Sequence, residues 1–75
     1  MVRSVRLGVV TAFDEQRGLG SVADDAGGRW AFHCTQIADG TRTIAPGTRV
    51  AFLEAAGHLG RMEAVGLTKL DGRPA

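Results

Sequence analysis

Two glycines one residue apart, Gly18 and Gly20, stand among apolar neighbours in the run Arg17-Gly18-Leu19-Gly20-Ser21-Val22. A helix interior carrying both would lose about 1 kcal/mol per glycine relative to alanine. A strand that leaves a turn and passes close to another backbone or a ligand accommodates them. Asp14-Glu15-Gln16 supplies the turn, and Leu7-Gly8-Val9-Val10-Thr11-Ala12-Phe13 before it reads as a first strand ending in an aromatic ring. The two segments make a hairpin around which the rest of the chain is arranged.

Turn signals recur at short intervals: Asp14 to Gly18, Asp24 to Gly28, Asp39-Gly40, Pro46-Gly47, Gly57 to Gly60 and Asp71-Gly72-Arg73-Pro74. Apolar runs of about four to eight residues lie between them, the pattern of an all-β sandwich or barrel. Strands are expected at 4–13, 19–24, 29–34, 48–56 and 61–69. No long window carries helical periodicity. One helical turn is expected near 35–39, with Thr35 placed to cap its start. Gly66 falls inside the last strand, where a bulge is one reading and a core position the other.

At 75 residues the chain has room for one domain, expected over 1–70 with 71–75 as a flexible tail. A domain of about 60 residues buries only about 60% of its unfolded surface, so a closed barrel is an efficient solution. No repeat, linker or low-complexity stretch interrupts it. The N-terminal apolar run is too short and too strand-like for a signal peptide, and nothing approaches about 18 consecutive apolar residues. The expected place is the cytoplasm, with no membrane partner.

The residues also carry a resemblance. Gly8-Val9-Val10-Thr11-Ala12-Phe13-Asp14 is similar to the G-x-V-K-W-F-N of cold-shock domains. Arg17-Gly18-Leu19-Gly20-Ser21-Val22 is similar to their K-G-F-G-F-I, and Arg29-Trp30-Ala31-Phe32-His33-Cys34-Thr35-Gln36-Ile37 to their D-V-F-V-H-F-S-x-I. Thr43-Ile44-Ala45-Pro46-Gly47-Thr48-Arg49-Val50-Ala51-Phe52 resembles the T-L-x-x-G-x-x-V-x-F that leads into strand four. The resemblance covers nearly the whole chain. It implies a five-stranded antiparallel Greek-key barrel of the OB-fold (oligonucleotide/oligosaccharide-binding) type with one short helical turn. It further implies a bacterial, non-enzymatic protein that binds single-stranded RNA or DNA with little sequence preference, as an RNA chaperone or a regulator of transcription or translation.

Strand alternation assigns faces. Trp30, Phe32 and Cys34 share one side of strand three, with Trp30 and Phe32 as the core pair, which sets Arg29, Ala31 and His33 outside. Val50 and Phe52 point inward from strand four, and Val22 from strand two. Leu19 and Ser21 then lie outside, with Phe13 ending strand one near them.

In the resembled family, bases stack on aromatics at positions that correspond here to Ala12, Phe13, Leu19, Ser21, Ala31, His33 and Cys34. Only Phe13 and His33 keep a ring. Stacking contributes about 1–3 kcal/mol per base, so five missing rings remove more than the roughly 8 kcal/mol of a micromolar complex. A binder built this way is weak, or binds by another route.

The candidate nucleic-acid-binding residues are therefore Phe13, Arg17, Leu19, Arg29, His33 and Arg61, each with a plain structural alternative. Phe13 either stacks a base or covers the edge of the core. His33 either stacks or is a solvated strand residue, and Leu19 is at best an apolar platform. Arg17, Arg29 and Arg61 meet phosphates or are solvated surface cations. About three phosphate contacts give a salt slope near −2 on a single strand. The net charge of +1 makes no electrostatic case by itself, although eight of the nine cations are arginine. High genomic GC content is a sufficient cause of that bias.

Other chemistries find little footing. Gly18-Leu19-Gly20 lacks the further glycine, the Lys-Ser/Thr pair and the helix of a phosphate loop. Asp14-Glu15 and Asp24-Asp25 are adjacent acids in turns, and His58 lies in a glycine-rich turn, so no catalytic residue is assigned. One cysteine excludes an internal disulfide, and Cys34 reads as a small buried hydrophobe. His33 and Cys34, as strand neighbours, are expected to point apart and not to share a metal. No cofactor or metal is expected. The alternative function is a barrel that has lost its ligand and meets a protein partner or a second copy of itself, through Leu19, Ala31, Ala51 and Leu53.

Overall fold

The structure, a computed structural model, describes residues 5–57 and 61–70. Five strands appear in order: β1 (Arg6–Asp14), β2 (Leu19–Asp24), β3 (Arg29–His33), β4 (Arg49–Ala56) and β5 (Met62–Lys69), with a 3-10 turn at Cys34–Gln36. They close into a barrel in the spatial order β1-β2-β3-β5-β4. The expected tail at 71–75 and the turn residue His58 lie outside the described residues.

The turns after β1 and β2 are each fastened by the acid at their start. The Asp14 carboxylate accepts from the amides of Gln16 and Arg17, and the Asp14 carbonyl accepts from Gly18. The Asp24 carboxylate does the same for Ala26 and Gly28. These are the side-chain-to-backbone bonds that make aspartate a turn former. Gly18 has φ +68°, the left-handed region open to glycine at little cost. Gly20 has another reason: a Cβ there would stand 2.5 Å from the Phe32 ring and 2.8 Å from the Ala12 carbonyl.

The expected inward set holds. Val22, Phe32, Val50 and Phe52 are buried with Val10, Ile37, Ile44, Ala64 and Leu67. Trp30 is half-buried against this core, edge-on to Phe52 at 5.4 Å. Among the described residues no polar side chain is fully buried.

Three features depart from the sequence expectations. The barrel is not purely antiparallel: β3 and β5 pair in parallel at Ala31↔Glu63, followed by a bridge at Ile37↔Leu67. The loop after β3 carries the chain to β4 beside β1, so β5 returns beside β3 running in the same direction. Next, a bulge at Thr11 breaks the alternation of β1, since Val10↔Val22 is followed directly by Ala12↔Ser21. The helical turn starts one residue early and is capped by the His33 ring rather than by Thr35, whose amide donates to His33 Nδ1 at 3.3 Å. At Gly66 the structure takes the bulge reading, with φ +61° and its amide donating to the Gln36 side chain.

Among the described residues no helix is long and apolar enough to cross a membrane.

Candidate nucleic-acid interface

The registers of β1, β2 and β3 define the outer face row by row. One row is Ala12–Ser21–Ala31 and the next is Asp14–Leu19–His33. Above them lies Val9–Ala23–Arg29. The middle row has no side chain larger than serine, so the face is shallow at its centre, with Leu19 and His33 standing up at one end. Leu19 is 46% exposed, which places its side chain on the surface. Thr11, pushed out by the bulge, shares a 2.7 Å hydrogen bond between its hydroxyl and that of Ser21.

Phe13 does not join this face. The Thr11 bulge turns Ala12 outward and Phe13 inward, opposite Gly20. The missing side chain of Gly20 leaves room there, and Phe13 stacks on Phe32 with centroids 6.0 Å apart and planes 10° from parallel. Phe13 thus covers the edge of the core from beside the outer face. Its other surroundings form a cleft between the end of β1 and the loop residues 43–46.

His33 is exposed, and its ring is held by the turn that follows. Nδ1 accepts from the Thr35 amide and lies 3.0 Å from the Thr35 hydroxyl. An accepting Nδ1 carries no hydrogen, so in the neutral ring the proton is on Nε2. Cys34 Sγ lies 3.9 Å from the same Nδ1, which corrects the expectation that these neighbours point apart. Cys34 begins the 3-10 turn, where strand alternation has ended. Cys34 is half-buried against Gly18 and the core rather than fully buried. Among the described residues no group of three or more His, Cys, Asp or Glu is gathered for a metal ion.

Arg17 is 76% exposed, 4.0 Å from Asp14, and stands beside the Asp14–Leu19–His33 row. That exposed pair holds the guanidinium only weakly. Arg29 and Arg61 are exposed and pair with no carboxylate among the described residues. Arg29 lies two residues before Ala31 on β3, and Arg61 directly precedes β5, whose Glu63 pairs in parallel with Ala31. The structure thus groups Leu19, His33 and Arg17 at one end of the face and sets Arg29 at the other, with Phe13 apart.

A polar cluster at the opposite end of the barrel gave no sequence signal. Arg6 donates to Glu54 at 2.7 Å and to Asp24 at 3.1 Å, and its guanidinium lies 4.9 Å from the Trp30 ring centroid. Trp30 Nε1 donates to Glu54. The hydrogen bond from Arg6, then that from Trp30, holds the Glu54 carboxyl below its ordinary value, and the bond to Glu54 raises Arg6. Forty-eight residues separate Arg6 from Glu54, and no local pattern reports such a contact.

No protein-family model and no curated protein matches the chain. Among solved structures it is similar to a Drosophila protein described as "drosophila Unr CSD456", a cold-shock-domain structure. The TM-score is 0.75 at 22% identity, over 97% of this chain and 29% of that one. The closed five-stranded barrel and this likeness together establish that the chain has a cold-shock-like OB-fold.

Proposed function

We propose that the protein binds single-stranded RNA or DNA across the outer face of β1, β2 and β3, with low sequence specificity. It would act as a nucleic-acid chaperone or regulator in the bacterial cytoplasm. The binding unit is 1–70, with 71–75 as a tail, and the reading assigns the protein no catalysed reaction. The observation that carries it is the outer face itself: among the described residues Ala12, Leu19, Ala31 and His33 on it are exposed, and Arg17 and Arg29 flank it at its two ends on a cold-shock-like fold. His33 offers the one ring of the face, Leu19 an apolar platform, and Arg17, Arg29 and Arg61 the phosphate contacts. With one ring, binding is weaker than micromolar.

The competing reading, a protein or homodimer interface, finds less support. Leu19 and Ala31 lie on β2 and β3, whereas Ala51 and Leu53 lie on β4 beyond β1, half-buried. The four do not form one patch.

The test is amide shift mapping with a short oligo-U strand at low salt. The reading requires shifts at Ala12, Leu19, Ser21, Ala31 and His33. Shifts absent there up to millimolar strand would overturn it.

A further inference from the structure

Around the edge of β1 from the outer face lies a cleft of about 470 Å³, within the range of roughly 300–1,000 Å³ typical of small-ligand sites. Phe13 lines it with the ring that stacks on Phe32. Ile44, Ala45 and Pro46 supply apolar surface from the loop, and Glu15 and Lys69 supply charge. Thr43 donates to Glu15 Oε2 at 3.0 Å, leaving Oε1 without a partner among the described residues. Lys69 Nζ contacts Asp39 at 3.0 Å and Thr41 at 3.3 Å, two partners for three N–H donors.

A ligand for this cleft is flat, to lie along Phe13 and Pro46. It presents an N–H group to the Glu15 carboxylate, which only accepts, and it tolerates an anion near Lys69. We infer that the cleft is a subsite for one amino-bearing nucleobase of a bound strand, represented among pyrimidines by cytosine. Cytosine presents its N4 amino donor, whereas uracil or thymine presents an O4 acceptor that a carboxylate repels. The inference rests on the strand-binding reading and adds a base preference to it. A strand crossing the row Ala31–Ser21–Ala12 reaches the edge of β1, and the next residue along is Phe13. One of the five rings missing from the face is thus replaced by one just beyond it. Because Glu15 is exposed, the preference lies at the low end of a specific base contact, about five- to tenfold for cytosine over uracil.

The test has two arms. In the first, CMP and UMP are titrated while amide shifts are followed. CMP is expected to move Glu15, Thr43, Ala45 and Lys69 more than UMP does; no movement at these residues with CMP overturns the inference, whatever strands do elsewhere. In the second, labelled oligo-C and oligo-U of equal length are bound to the native protein and to Glu15→Gln. Glutamine offers a donor as well as an acceptor, so the preference should collapse to within about twofold. Equal binding of both strands by the native protein overturns the subsite while leaving the strand-binding reading intact. Cleft shifts with CMP but no salt-sensitive strand binding would instead remove the strand reading and leave a mononucleotide site.

Discussion

Phe13 lies flat against Phe32, and the space for that stack exists because the residue opposite Phe13 is Gly20. The pair joins the hairpin to the core, and it removes from the outer face a ring that simple alternation along β1 places there. Truncating Phe13 to alanine is therefore expected to destabilise the fold by about 2 kcal/mol, less than the 3–5 of a fully buried phenylalanine. Urea unfolding measures this. An unchanged midpoint would return Phe13 to the surface.

The shallow row Ala12–Ser21–Ala31 makes an opposite kind of prediction. Ala31→Phe adds a ring to an exposed position and should leave stability within about 0.5 kcal/mol. Strand affinity should rise between about fivefold and about 150-fold, the equivalent of 1–3 kcal/mol per stacked base. Polarisation of a labelled strand reads it, and an unchanged affinity would mean that strands do not pass over that row.

The Glu54 carboxyl, bonded by Arg6 and Trp30, is held below its ordinary 4.5. Its contribution to stability is therefore complete above pH 4.5 and is lost as pH falls through the lower folded value. Because Trp30 Nε1 donates to this carboxylate, fluorescence of the sole tryptophan should change over the same acid range. Glu54→Gln should abolish the transition, and a transition that persists in that variant would assign it elsewhere.

At the other end of the barrel, Asp39 is lowered from 3.8 to about 2, first by the Thr41 amide and then by Lys69. Stability from this group is present above pH 3.8 and disappears as pH approaches 2. Thermal melts should show acid sensitivity in that window that Asp39→Asn reduces. Equal sensitivity in the two proteins would contradict the assignment.

Much of the fold was legible from local signals. The aspartate and glycine turns, five apolar runs and the inward phases of Val22, Phe32, Val50 and Phe52 all report short-range physics, and the structure agrees with them. The departures come from interactions that sequence neighbours do not encode. A threonine in a strand gives no sign that it will bulge, yet the Thr11 bulge moves Phe13 from one face to the other. The parallel β3–β5 closure depends on where a distant loop delivers the chain. His33 takes over the cap because its ring reaches the Thr35 amide. For the candidate interface, Leu19, His33 and Arg17 were readable as candidates because each sits on or next to β2 or β3. Glu15 and Lys69 were not, since only the folded loop brings them to the cleft beside Phe13.

The most direct measurement of the central proposal is the affinity of a labelled single strand as a function of salt, for the native protein and for Arg17→Ala, Arg29→Ala and His33→Ala. About three phosphate contacts predict a slope of log affinity on log salt near −2 for the native protein. Each arginine variant should flatten that slope by about 0.7, and His33→Ala should weaken binding without changing it. A slope near zero, or no binding at high micromolar protein in low salt, would contradict the account.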